Sequence, residues 1–138
     1  MNNQRILKQT DAAILSRLAE QLLRLSEVEF NVGEELLDII STAKILAAGA
    51  EKKDCVALYS TVTYTPADID DSRTLTIVCP HEANPQLAHV SVLSPIGLAL
   101  IGRKSLHIIN VDLPSNRVEK IKILEVAHAN LVGEVESS

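Results

Sequence analysis

Near residue 50 the apolar residues of this 138-residue chain stop recurring at helical spacing and begin to alternate. A helical stripe and an alternating strand bury different faces, so one short chain must build two kinds of element around a shared interior. Before the change, Thr10 and Asp11 mark a helix start, and Ile14, Leu15, Leu18, Leu22 and Leu25 follow on one face. The run DAAILSRLAEQLLRLSE makes a helix about 24 Å long at 1.5 Å per residue. After the break VEFNVG, a second stripe of Leu36, Leu37, Ile40, Ala43 and Ile45 or Leu46 runs to a cap near Gly49. Neither stripe can stay in water, so residues 1–50 are expected to fold as a short antiparallel helical hairpin.

The polar bridge AEKKDC leads into the alternating half. In STVTYT, Val62 and Tyr64 share one face, and Thr61, Thr63 and Thr65 the other. PADIDDS is an Asp-rich turn, RTLTIVC the returning strand, PHEANPQ a loop with proline near both ends, and LAHVSVL a third strand. SLHIINVDL, the turn PSN and RVEKIKILEVAH form a closing hairpin. Residues 55–128 thus read as a curled antiparallel sheet of about five strands carrying one short helix, and residues 129–138 as a flexible acidic tail. The fold class is α+β.

Composition narrows the function. Apolar residues make up 46% of the chain, enough for a packed core. Phe30, Tyr59 and Tyr64 are the only aromatic residues, too few for a base-stacking surface. A net charge of −5 opposes phosphate contacts, so no direct sequence-specific nucleic acid binding is expected. Cys55 and Cys79 fit no zinc or redox spacing and read as buried thiols. The start MNNQRILKQTD has no apolar signal run, and no stretch approaches a membrane span, so a cytoplasmic location is expected.

Between the third and fourth strands stands SVLSPIGLALIGRK. Ser94 caps a helix start, Pro95 suits its first turn, and Gly102 closes it in a left-handed conformation. A single helix covering a sheet face would pack Ile96, Leu100 and Ala99 inward, with the small Gly97 and Ala99 allowing close approach.

The succession from STVTYT to the closing hairpin, with SPIGLALIG as its most specific part, resembles the C-terminal domain of the GreA/GreB transcription factors over roughly the last 80 residues. That resemblance implies an FKBP-like fold. Gly97 and Leu98 stand where Gre factors usually carry Ala-Arg, and the hairpin is short, so the chain is similar to the Rnk-like members, regulators of nucleoside diphosphate kinase. The resemblance implies a partner, RNA polymerase, bound at the rim of its secondary channel through Leu93, Ser94, Pro95 and Ile96. Leu93 departs from the Asp or Asn that Gre factors favour there, which weakens or re-aims the contact.

Gre factors place two carboxylates at the tip of a long coiled coil to help hold a catalytic magnesium in the polymerase. The tip here carries Glu27, Glu29, Glu34 and Glu35, but the Asp-x-x-Glu-Asn pattern is absent. Asn31 and Glu34 read as a capping box, and four turns fall short of the reach. No transcript cleavage and no other catalysis is expected, with no cofactor and no metal. His81-Glu82 lacks the second histidine of a zinc motif, His89, His107 and His128 scatter over strands, and Asp68, Asp70 and Asp71 lack the glycine and distal glutamate of a calcium loop. A prolyl isomerase pocket would need more aromatic residues. The leucine-rich hairpin has more apolar surface than two helices bury, which suggests a homo-oligomer or an interaction domain.

Overall fold

The computed structural model describes residues 4–25, 32–113 and 116–128. A two-residue strand β1 (Ile6–Leu7) precedes helix α1 (Gln9–Leu25), which pairs with α2 (Val32–Thr42). Ala12, Leu15 and Ala19 of α1 and Leu36 and Ile39 of α2 enter the core. Leu37 stays 40% exposed, because the buried stripe of α2 runs through Leu36 and Ile39.

The second helix stops at Thr42, short of the expected Gly49. The Ser41 and Thr42 hydroxyls both donate back to the Asp38 carbonyl at its end. Beyond it, β2 (Lys44–Ile45) lies parallel to β1. The Lys44 amide donates to Arg5 O at 2.8 Å and the Leu46 amide to Leu7 O at 2.9 Å. Strand pairing with a distant segment overrides the local helical spacing.

The second half is a curled five-stranded sheet in the order β5-β4-β3-β7-β6. Its strands are β3 (Thr61–Pro66), β4 (Arg73–Val78), β5 (His89–Ser91), β6 (Ile108–Leu113) and β7 (Arg117–Ala127). As the alternation requires, Val62 is buried, while the outward threonines meet across the strands as Thr61–Thr76 and Thr63–Thr74 hydroxyl pairs. One pairing departs from the all-antiparallel expectation: β5 runs parallel to β4. The PHEANPQ loop forms two 3-10 turns, Pro80–Glu82 and Pro85–Leu87, which bring the chain back in the same direction. A bulge at Thr63/Tyr64 in the β3–β7 ladder sharpens the curl.

Helix α3 (Pro95–Leu100) packs inside the curl beside β6. Gly102 follows it at φ +80°, as its capping role demands. Its amide donates to Val56 O and its carbonyl accepts from Ile6, so this residue joins β1 to the sheet half. Residues of the hairpin and of the sheet share one core, from Leu7, Leu15 and Leu36 to Ile77, Leu100 and Ile123. No helix among the described residues is long and apolar enough to cross a membrane.

Asp11 lies within that shared core at 3% exposure, its Oδ2 accepting the Leu58 amide at 3.0 Å. Burial pushes its carboxyl above the usual carboxylate range, opposed by the Leu58 hydrogen bond and by Lys8 and His128. A raised native pKa means the folded state holds this proton more tightly than the unfolded chain. Stability from this group is therefore full below the ordinary Asp pKa and falls as pH rises through the native one. Asp11→Asn keeps an acceptor for Leu58 without the charge. Its stability relative to wild type should climb between pH 4 and neutrality in a urea titration series, and a flat difference would contradict the assignment.

Candidate functional site

The start of α3 is built from a folded-back loop. Ser94 Oγ accepts the Gly97 amide at 3.1 Å and donates to Ser91 O at 2.7 Å, while Ser91 Oγ accepts the Leu93 amide at 3.0 Å. These bonds satisfy the helix N-terminus and turn Pro95 outward into solvent. The loop can lie this close only because residue 97 is glycine. A Cβ there would sit 2.2 Å from Ser91 O and 2.8 Å from Val92 Cα.

Beside the helix start opens a groove of about 720 Å3. Leu93, Pro95 and Leu98 form one wall, Val32 and Glu35 of α2 another, and the β6–β7 hairpin supplies Asp112, Arg117 and Val118. Thus Leu93, Pro95 and Glu35, from two distant parts of the sequence, line one concavity. Ser94 is engaged in the cap, and Ile96 packs partly buried against the core. Glu34 is exposed on the first turn of α2, where the helix dipole favours it. Glu27 and Glu29 lie outside the described residues.

Sequence reasoning missed Arg5. Its guanidinium Nη1 donates to Leu98 O at 2.5 Å and Ile101 O at 3.0 Å, closing the carbonyl end of α3 while lining the groove. Burial, followed by the nearby Arg103, lowers its pKa to about 10; Glu35 and Asp38 act in the opposite direction. The side chain remains cationic at neutral pH. A lone arginine ahead of a helix carries no local signal of a bond made across the fold. Leu98 was missed as a core residue for a different reason: a six-residue helix is too short for its stripe to be unambiguous.

Other polar clusters are structural. Ser60 is fully buried, accepts the Ala57 amide at 2.9 Å, and donates to His128 Nδ1 at 2.8 Å. His128 Nε2 in turn donates to Lys53 O at 2.9 Å, tying the end of β7 to the bridge before the sheet. No substrate can reach Ser60 there. Glu82 accepts the Tyr59 hydroxyl at 2.6 Å and the Cys79 amide at 3.2 Å. The Tyr59 bond holds its carboxyl below the usual range. Cys55 and Cys79 are buried free thiols. Among the described residues, no group of three or more His, Cys, Asp or Glu side chains is placed to hold a metal ion.

A family model described as "Transcription elongation factor, GreA/GreB, C-term" matches residues 51–128, more than half of the chain. The chain belongs to this GreA/GreB family. Transcription elongation factor GreA of Rhodospirillum rubrum is 37% identical over 81 residues, covering 59% of this chain and 52% of its own. GreA of Chloroflexus aggregans is 37% identical over 92 residues, 67% of this chain and 58% of its own. The chain therefore spans little more than half the length of these GreA proteins. A solved GreA/GreB factor from Nitrosomonas europaea shares the fold, with a TM-score of 0.71 at 23% identity over 92% of this chain and all of that one. Within the GreA/GreB match lie every strand of the large sheet, α3 and the sheet-side wall of the groove. Arg5, Val32 and Glu35, from the hairpin half, fall outside it.

Proposed function

We propose that this GreA/GreB family member is a non-enzymatic, Rnk-like regulator that docks on RNA polymerase at the rim of the secondary channel. The observation that carries the reading is the exposed start of α3, where Leu93 and Pro95 line a groove within reach of the hairpin. Over the described residues α1 has 17 residues and α2 has 11, about 25 Å and 16 Å at the helical rise. Glu34 and Glu35 at the start of α2 would enter the channel mouth only partly, obstructing it without delivering carboxylates to the polymerase metal. Such occupancy competes with Gre factors and requires a cytoplasmic protein.

The decisive experiment is binding of the purified chain to core RNA polymerase with a Gre factor as competitor. Mutually exclusive binding is expected; simultaneous binding, or none at micromolar concentration, would remove the reading. Pro95→Ala separates docking from folding. Alanine fits the first helical turn and Pro95 is exposed, so unfolding free energy should change by less than about 0.5 kcal/mol. Polymerase affinity should fall about fivefold or more, as for an interface anchor. Unchanged affinity would move the docking site away from α3.

The alternative, an oligomeric interaction domain, has less apolar surface to use than the leucine count suggests. Among the described residues of the hairpin half, Leu37 and Ile45 are the large hydrophobic side chains left exposed, each at 40%.

A further inference from the structure

The two ends of the large sheet are finished differently. At β5 the edge is closed by the preceding loop: the Asn84 amide donates to His89 O at 2.9 Å and the His89 amide to Asn84 O at 3.0 Å. At the other end, β6 pairs only with β7 among the described residues. The register says which of its backbone groups remain open. The Ile123 amide donates to His107 O, and Lys120 O accepts from Ala67 on the far side of β7. Backbone groups alternate in direction along a strand, so Ile109, Val111 and Leu113 face β7. Ile108, Asn110 and Asp112 therefore point their amides and carbonyls outward, and none of these groups has a hydrogen-bond partner among the described residues.

This open edge also joins two depressions. Asn110, Asp112 and Leu113 line the groove beside α3. Ile108 lines a second hollow of about 390 Å3 with Ile69, Asp68, Asp70 and its cross-strand neighbour Lys122. Ile69 and Ile108 are 55% and 60% exposed, so an apolar spot lies beside two carboxylates that outnumber the one ammonium, Lys122, in the lining. Thr65 fixes the acidic turn in place, donating to Ile69 O and accepting the Asp71 amide.

We propose that β6 captures an extended peptide of a partner protein as an added antiparallel strand, with an apolar side chain on Ile69 and Ile108 and a basic residue beside Asp68 and Asp70. The unpaired backbone groups supply the hydrogen bonds of strand addition, and the two hollows receive side chains. Antiparallel pairing puts the carboxyl end of the peptide at the acidic turn. A second copy of this chain is the wrong occupant. Isologous pairing centred on Asn110 would set Asp112 of one copy opposite Ile108 of the other, beside Asp68 and Asp70, and both chains carry net negative charge. The proposal goes beyond polymerase docking and does not rest on it, although the two share a groove wall.

The test uses the full chain and a synthetic peptide of alternating valine and threonine ending in two lysines. Amide shifts and slowed exchange at Ile108, Asn110 and Asp112 are expected on titration. Asn110→Pro removes one outward amide while leaving the β7-facing bonds intact, a substitution that edge strands accept. It should weaken binding about tenfold, the scale of one lost hydrogen-bonded contact. Backbone N-methylation of the peptide should do the same to the unaltered protein, which keeps the test valid if the proline variant does not fold. Asp68→Lys with Asp70→Lys should weaken it further. Equal binding of the N-methylated peptide, shifts confined to α1 and α2, no shift at millimolar peptide, or self-association through β6 would each overturn the proposal.

Discussion

Replacing Gly97 with alanine is expected to destabilise the protein by about 3 kcal/mol, at the upper end for overpacking by a single methyl group. The added carbon would stand 2.2 Å from the Ser91 carbonyl oxygen. Its neighbours there are backbone atoms, which cannot swing aside as a flexible side chain would. Either the loop from Ser91 to Ser94 lifts off the helix, breaking the Ser94 cap, or α3 withdraws from the sheet and opens space around Leu98 and Leu100. Urea unfolding of the variant reads the loss directly, and a midpoint within error of wild type would show that the loop accommodates the methyl group. The same change should move the Leu93 and Pro95 side of the groove, so polymerase docking should suffer beyond what stability alone explains. A glycine that looked like an ordinary small residue for close packing is the residue that permits this loop geometry.

Arg5→Met is the second large effect, about 2–3 kcal/mol, the scale of losing hydrogen bonds from a charged donor. Methionine keeps much of the aliphatic stem but leaves the Leu98 and Ile101 carbonyls without their guanidinium partner. The damage should be local in origin and long in reach. Amide exchange should accelerate at Ile6 and Lys44, whose bonds hold the N-terminal segment against Gly102 and β2, before it accelerates in β3 or β7. Lysine at this position should recover only part of the loss, since a single ammonium cannot reproduce the planar fork. Uniform acceleration across the sheet would mean that Arg5 supports the whole fold and not this seam.

Whatever was punctuated locally could be read before folding. Ser94, Pro95 and Gly102 bound α3 by their own backbone preferences, and the structure uses each as expected. Val62 and the threonines around it announced their faces by alternation. Direction was not legible: alternation in LAHVSVL is the same for a parallel or an antiparallel neighbour, and the two 3-10 turns that decide it have little pattern. Nor was the end of α2, where apolar spacing continued past Thr42 but pairing with Arg5 and Leu7 won. The groove was half visible. Leu93 and Pro95 came from a motif and Glu35 from helix-start chemistry, whereas Arg5 and Arg117 are placed there by the fold and carry no mark in their neighbours.

The wedging of Arg5–Leu7 between Gly102 and Lys44–Leu46 has a consequence for the order of assembly during synthesis. Arg5 is made 96 positions before its anchor at Ile101. On a ribosome adding roughly 5–20 residues per second, the hairpin leaves the exit tunnel seconds before its seat exists. Until then the buried faces of Leu15, Leu36 and Ile39 have only each other. The hairpin, made before the sheet, is thus locked only after it, and a nascent chain stalled before Gly102 would present those faces to whatever chaperone meets it.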